Sequence, residues 1–294
     1  MIVLITGASG FLGIEVVKQF QFDKTITMAR NNAQLNFDLC KEIPKIPDVD
    51  LVVHCAGKAH FVPKTKIQKK EFFDVNVTGT ANLLKGLENS VIPKSFVFIS
   101  SVSVYGLQTG KLIAEDSPLL AKDPYGKSKI EAERLILDWC EKNKVICTIL
   151  RLPLIAGSNP PGNLGDMIKG IKKGYYFNIA GGLARKSIVL ANDVAEIIPH
   201  ASQIGGIYNL TDGSHPDFLG LSKLIATQLN KKEPGNIPLN LAVLIARFGD
   251  LLNKVPLNSS KLNRIVSELT FDDSKARKHL NWNPHAVLDK FQIY

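Results

Sequence analysis

Met1-Ile-Val-Leu-Ile-Thr-Gly-Ala-Ser-Gly-Phe-Leu-Gly13 is the stretch from which the rest of the chain is read. The apolar run Ile2 to Ile5 suits a strand buried on both faces. Glycines follow at 7, 10 and 13, and helical spacing of apolar residues runs from Phe11 to Phe20. A strand that feeds a glycine turn and opens a helix is a cradle for dinucleotide phosphates. Gly7 permits the tight turn, Gly10 lets backbone approach the pyrophosphate, and Gly13 lets the helix pack closely on its strand.

The pattern repeats outward. Thr25 to Ala29 reads as a second strand, and its end carries Arg30 and two asparagines where a ribose-binding acid would favour NAD. Arginine suits a 2′-phosphate, so the chemistry leans toward NADP(H), with NAD(H) the other option. Asp38 and Leu39 fall where a third-strand loop would meet adenine. Asp50 to Cys55 is another buried strand, and Ala56-Gly57 after it admits a ligand close to the backbone. His54 and His60 flank this end; six apart, they make no metal pair, and His60 is the one expected to touch substrate. Residues 72–87 read as one helix, with Asn76 placed to brace neighbouring backbone. Phe96 to Ile99 is the next strand, and it runs into Ser100 to Gly106. Tyr125 opens a helix reaching Asn143, and Val145 to Leu150 is the strand that follows.

Strands alternating with helices make an α/β protein with a doubly wound parallel sheet and right-handed crossovers, the Rossmann arrangement. We expect this dinucleotide-binding domain over 1–160, completed by 188–211. Residues 161–294, which open within the breaker cluster Ser158 to Asn163, are expected to form a smaller, mostly helical substrate-binding lobe. Short strands are expected at 188–190 and 206–210, the latter returning to the main sheet, and the last helix at 272–280.

Composition narrows the partners. The chain has 294 residues, 45% of them apolar, and a formal charge of +9. That charge suits an anionic ligand or a lysine-rich surface. Lysine clusters at 64–70 and 169–173 lack interleaved aromatics, which argues against nucleic acid. No run approaches the ~18–20 apolar residues of a membrane span, and with a strand expected from the first residues no signal peptide is expected. The four cysteines show no paired or metal-binding spacing and read as reduced thiols, so a cytoplasmic location without a metal is expected.

Tyr125 and Lys129 stand four apart, so a helix puts them on one face. A free phenol titrates near ~10, and a lysine charge about 4 Å away lowers that on the order of three units at an effective dielectric near 20. The phenol is then expected to exchange protons near working pH, with Ser101 steadying charge on the same substrate oxygen.

With these residues in place, the chain resembles the extended short-chain dehydrogenases/reductases, the NAD-dependent epimerase/dehydratase family. The matching motifs are TGASGFLG (6–13), HCAGKAH (54–60), NVTGT (76–80), SSVSVYG (100–106), YGKSK (125–129), LRLPLIAG (150–157) and LTFDDSKARKHLNWNP (269–284). The resemblance implies a cofactor site built on Gly7, Ser9, Gly10, Phe11, Leu12 and Gly13. Its further contacts would come from Arg30, Asp38, Leu39, Cys55, Ala56, Gly57, Asn76, Tyr125, Lys129 and Pro153. It also implies a catalytic Ser101–Tyr125–Lys129 set and a UDP- or dTDP-hexose held against the C-terminal lobe. Asn163 matches a nucleotide-sugar contact, Ser103 lies beside the catalytic hydroxyl, and Arg185 and Lys186 both align near the cation that meets the diphosphate. GNLGDMIKGI (162–171) and RKSIVLANDVA (185–195) resemble UDP-N-acetylhexosamine 4-epimerases and 4-keto-6-deoxyhexosamine 4-reductases of surface-polysaccharide pathways.

The family's dehydratases carry Asp-Glu after the catalytic hydroxyl, and its decarboxylases a glutamate; here Val102 and Ser103 stand there. What remains is hydride exchange at one carbinol carbon, carbon 4 of the hexose by resemblance. A reductase using NADPH is slightly favoured over a 4-epimerase, with a non-catalytic cofactor-binding regulator as the reading from another class. A homodimer stays open. Residues 237–253 are rich in apolar side chains and are expected to pack on the substrate lobe, the alternative being a peripheral membrane or subunit contact.

Overall fold

The computed structural model describes residues 1–59, 61–251 and 257–293. The chain opens with β1 (Ile2–Thr6), α1 (Phe11–Gln19), β2 (Lys24–Ala29), the short β3 (Leu35–Asn36) and β4 (Leu51–His54). Where one helix was expected over 72–87, the structure has two, α2 (Lys66–Phe73) and α3 (Gly79–Glu88), joined by a π-turn over Asp74–Thr78. The cause is local: the Thr80 hydroxyl takes the Asn76 carbonyl at 2.7 Å, and the helix widens there.

Next come β5 (Ser95–Ser101), β6 (Gly110–Ile113), α4 (Pro124–Asn143) and β7 (Ile146–Leu152). Asp123 caps α4 by accepting from the Gly126 amide at 3.0 Å, with Pro124 at the first helical position. Then follow β8 (Leu154–Ala156), α5 (Gly162–Lys173), β9 (Asn178–Ile179), β10 (Ile188–Leu190), α6 (Ala191–Ile204) and β11 (Gly206–Asn209). The chain closes with α7 (Phe218–Gln228), β12 (Asn236–Ile237), α8 (Leu239–Leu251), α9 (Ser259–Val266), β13 (Leu269–Phe271), α10 (Ser274–Leu280) and the one-turn α11 (Val287–Lys290), so the helix expected over 272–280 is not the last.

Seven strands form one parallel sheet in the order β11-β7-β5-β4-β1-β2-β3. The period of two distributes each strand between two cores. Val3, Ile5, Val53, Val97 and Ile99 enter one, with α1 and α6, while Leu4, Val52, Phe96, Phe98 and Ile149 enter the other, with α3 and α4. β11 joins the sheet as an edge strand, as expected of 206–210. β10 does not join it: Ile188, Val189 and Leu190 pair with β8 in a separate two-stranded sheet. A third core gathers Leu164, Met167, Ile188, Leu221 and Ile225 under α5 and α7, a fourth holds Val104, Tyr105, Ile130 and Phe271, and a small fifth holds Ala242, Ala246 and Leu262 between α8 and α9. The tail signature also splits, because Leu269–Phe271 pairs with β6 before α10 begins.

Candidate active site

The carboxyl ends of β1, β2 and β4 open onto a cleft of about 410 Å³, where a doubly wound sheet reverses direction and binds its ligands. Gly7 sits at its floor with φ +67°, and a Cβ there would lie 2.6 Å from the Ala56 amide nitrogen. A Cβ on Gly13 would lie 2.1 Å from the Gly7 carbonyl oxygen, so helix and turn meet backbone to backbone. Among the described residues no side chain caps the start of α1, where Gly10 is the N-cap and the first turn holds no acid. Its unpaired amides therefore favour an anion.

Gly7, Ser9, Gly10, Arg30, Asp38, Leu39, Cys55, Ala56 and Gly57 all line this cleft, together with Lys58 and Cys40, which the motifs did not single out. Arg30 is exposed at the rim, and no carboxylate stands beside it on β2. Asp38 accepts from the Cys40 amide at 3.2 Å. Burial pushes the Cys55 thiol up to about 12, so it stays protonated. The remaining candidates lie behind or beside the cleft. Leu12 is in the core, Phe11 reaches toward Gly157, and Pro153 links β7 to β8.

Asn76 braces the cleft wall. Its Oδ1 accepts from the Lys58 amide at 2.7 Å, and its Nδ2 donates to the Lys58 carbonyl at 3.1 Å and to Ser128 Oγ at 2.9 Å. Ser128 in turn donates to the Tyr125 carbonyl at 2.8 Å, which ties the π-turn to α4. Behind it lies His54, buried and stacked on Phe98. The Thr80 hydroxyl already donates to Asn76, so His54 Nε2 donates to Thr80 Oγ1 at 3.0 Å and Nδ1 accepts from Thr6 Oγ1 at 2.6 Å. Burial holds His54 down to about 3, with the Lys129 charge acting in the same sense. His54 is thus a neutral strut, and His60 lies outside the described residues.

The serine, tyrosine and lysine meet at the end of β5. Ser101 Oγ accepts from the Ser103 amide and donates to Ser103 Oγ, each at 3.2 Å, and its hydroxyl stands close enough to the Tyr125 phenol to lower that group's pKa. Lys129 lies one turn further along α4. Its ammonium donates to the Ile99 carbonyl at 2.8 Å, lies 4.5 Å from the Phe98 ring centre, and would be 3.3 Å from a Cβ on Gly57. The side chain therefore borders the cleft that Gly57 lines.

The expected lowering of the phenol does not occur in this arrangement. Burial raises the Tyr125 pKa, the Ser101 hydroxyl partly opposes this, and the Asp123 carboxylate adds to it. Lys129, turned to the Ile99 carbonyl, is itself pushed down to about 8 by burial, against the pull of Glu133 and Cys55.

Beneath the site lies a buried network that the motifs did not single out. Glu133 and Arg151 pair at 2.8 Å with side-chain exposures of 1% and 3%. Ser100 donates to Glu133, and Arg151 also reaches the Tyr105 hydroxyl at 3.1 Å. The spacing held the signal: Tyr125, Lys129 and Glu133 are successive i, i+4 positions on one helix face.

The substrate-side candidates are spread over several elements. Ser103 lies in the single 3-10 turn after β5, and Asn163 is exposed in the first turn of α5. Arg185 donates to the carbonyls of His215 at 3.0 Å and Ser214 at 2.5 Å. Lys186 donates to those of Arg264 at 2.9 Å and Ser267 at 2.7 Å, and burial pushes it down to about 8. Both cations thus hold C-terminal backbone.

Known proteins align with this chain over almost its full length. It is 30% identical to the N-acetyl-alpha-D-glucosaminyl-diphospho-ditrans,octacis-undecaprenol 4-epimerase of Escherichia coli O157:H7, covering 93% of this chain and 88% of that protein. It is 25% identical to the UDP-glucose 4-epimerase of Vibrio cholerae, covering 98% and 92%. The solved UDP-glucose 4-epimerase of Thermotoga maritima superposes with a TM-score of 0.74 over 97% of this chain and 94% of that one, at 20% identity, and was solved with UDP-glucose. Other solved chains of this fold carry NAD or NADPH. The family model described as NAD dependent epimerase/dehydratase family matches residues 3–210, and this chain belongs to that family.

Proposed function

We propose that this protein inverts carbon 4 of a hexose carried on a nucleoside diphosphate, a UDP-hexose or UDP-N-acetylhexosamine. The observation that carries the reading is the meeting of Ser101, Tyr125 and Lys129 at the open end of β5, beside the uncapped start of α1. Both aligned relatives are named as 4-epimerases, which moves the balance from the reductase toward the epimerase. A nicotinamide dinucleotide in the cleft would supply the hydride acceptor and donor.

The chain's own residues handle the proton. Burial keeps Tyr125 protonated near neutral pH, so its Oη is ready to give a proton to a keto oxygen, with Ser101 Oγ steadying that oxygen. The opposite half of the cycle needs the phenolate. Turning the Lys129 ammonium from the Ile99 carbonyl toward the phenol would supply the favouring charge. Ser103, Asn163 and His60 remain the proposed sugar and nucleotide contacts. Of the two cations, exposed Arg185 is the better partner for the diphosphate, because Lys186 is more enclosed.

Arg30 supports a second reading, an NADPH-dependent 4-reductase, since a 2′-phosphate would meet it at the rim of the cleft. One experiment separates the two. Protein purified without added cofactor is given UDP-hexoses, UDP-N-acetylhexosamines, a polyprenyl-linked amino sugar and a 4-keto sugar, with and without NADPH. Retained NAD(H) with interconversion of the 4-epimers supports the epimerase. Stoichiometric NADPH loss on the keto sugar, with tighter NADPH than NADH binding that Arg30→Ala narrows, would replace it with the reductase.

A further inference from the structure

The helix α8 is built inside out. Its small residues Ala242, Ala246 and Gly249 are buried, the alanines packing with Leu262 of α9. Four of its large residues face outward: Leu241, Leu244, Phe248 and Leu251 are 49%, 51%, 55% and 81% exposed. At about 100° per residue, those four share one arc opposite the buried stripe. Scattered apolar residues on a surface are ordinary, but a contiguous set on one helix face is not.

The tertiary structure extends this face. β9 and β12 pair, and the Asn178 amide donates to the Gly235 carbonyl at 2.8 Å. That pairing lays the segment Lys172-Lys173-Gly-Tyr-Tyr-Phe177 beside the strand leading into α8, and the Phe177 ring lies 3.3 Å from a Cβ built on Gly235. Tyr175 and Phe177 are 57% and 50% exposed. Exposed cations accompany them: Lys172, Lys173, Lys231, Lys232 and Arg247. The two acids among these segments are already engaged. Glu233 pairs with Lys223 at 3.4 Å, and Asp250 accepts from the Ser259 amide at 3.1 Å.

We propose that the outward face of α8, with the 172–177 segment beside it, docks the protein on an anionic lipid surface. Leucines and aromatic rings enter the headgroup boundary while lysines and Arg247 meet lipid phosphates. Charge selects this occupant over a second copy of the chain, which would set the same cations against each other. The contact is peripheral, since no described helix is long and apolar enough to cross a membrane. It stands apart from catalysis, so an inactive protein would still bind.

Sedimentation with vesicles of phosphatidylcholine, with and without phosphatidylglycerol, tests it. We expect binding only to the anionic vesicles, weakened by high salt and reduced about fivefold by each of Lys172→Gln and Lys173→Gln. Phe248→Glu should reduce binding at least about tenfold, with the circular dichroism spectrum and turnover of a soluble nucleotide-sugar unchanged. Failure of the folded wild type to bind anionic vesicles overturns the proposal, as does binding that Phe248→Glu leaves intact. A dimer that Phe248→Glu dissolves, without vesicle binding, assigns the face to self-association instead.

Discussion

α4 buries Ser128, Lys129 and Glu133 in its inward face, whereas α8 turns Leu241, Leu244, Phe248 and Leu251 out to solvent. Both depart from the ordinary distribution of polar and apolar residues, in opposite senses, and the neighbours explain why. Every buried polar group on α4 has a fixed partner: Lys129 the Ile99 carbonyl, Glu133 the Arg151 guanidinium, Ser128 the Asn76 amide. Such a network holds its side chains in one geometry. α8 is held by small residues against α9, which leaves its large side chains free to meet another surface. Buried polarity that is fully paired marks a site where position matters. Exposed apolarity on a packed helix marks a site where contact matters.

The sharpest way to break the α4 half of this comparison is Tyr125→Phe. Turnover should fall by about 10²- to 10⁴-fold, as expected for loss of a general acid/base, while cofactor titration stays unchanged. An active phenylalanine variant would remove Tyr125 from the mechanism. Next comes Glu133→Ala, which leaves the Arg151 charge buried without its carboxylate and should destabilise the fold by about 3–5 kcal/mol in denaturant titration. Adding Arg151→Leu to it should recover part of that loss. No recovery would mean that packing, not the orphaned charge, sets the cost.

His54 sharpens the comparison through pH. Its folded pKa of about 3 lies below the ordinary 6.5, so the unfolded chain binds the proton first. Its contribution is fully present above 6.5 and is lost as pH falls toward 3, at up to about 1.4 kcal/mol per pH unit. Stability curves that are flat between pH 6.5 and 4, or equally steep in His54→Gln, would contradict the neutral strut. α8 should show the smallest effects. Ala246→Leu, on the buried stripe, should cost about 1–3 kcal/mol by overpacking, while Phe248→Ser on the opposite face should stay within about 0.5 kcal/mol. Equal costs at the two positions would show that the outward face is packed after all.

Much of this was legible in the chain. The glycine turn at 7–13 was readable because a positive φ at Gly7 and the backbone contact at Gly13 leave almost no other residue possible. The parallel sheet followed from apolar runs alternating with helical spacing, since its central strands are buried on both faces and carry no polar side, whereas the short edge strand β3 had no such run to announce it. The spacing of Tyr125 and Lys129 put them on one helix face, and Ser101 stood at a strand end, because these are short-range facts. The family itself was readable from the motifs.

The rest needed distant residues to meet. Whether Lys129 acts on the phenol depends on the Ile99 carbonyl 30 residues away, and that contact turned the ammonium aside. The π-turn at Asn76 depends on a hydroxyl competing with the helix ladder, which no periodicity reports. Arg185 and Lys186 looked alike as cations, and only the folded C-terminal backbone showed which carbonyls they hold. The apolar stretch after residue 237 was expected to pack inward. Sequence located an apolar helix there and it does pack on α9, but only the tertiary contact with Leu262 decided that the alanine stripe, and not the leucines, is the buried face.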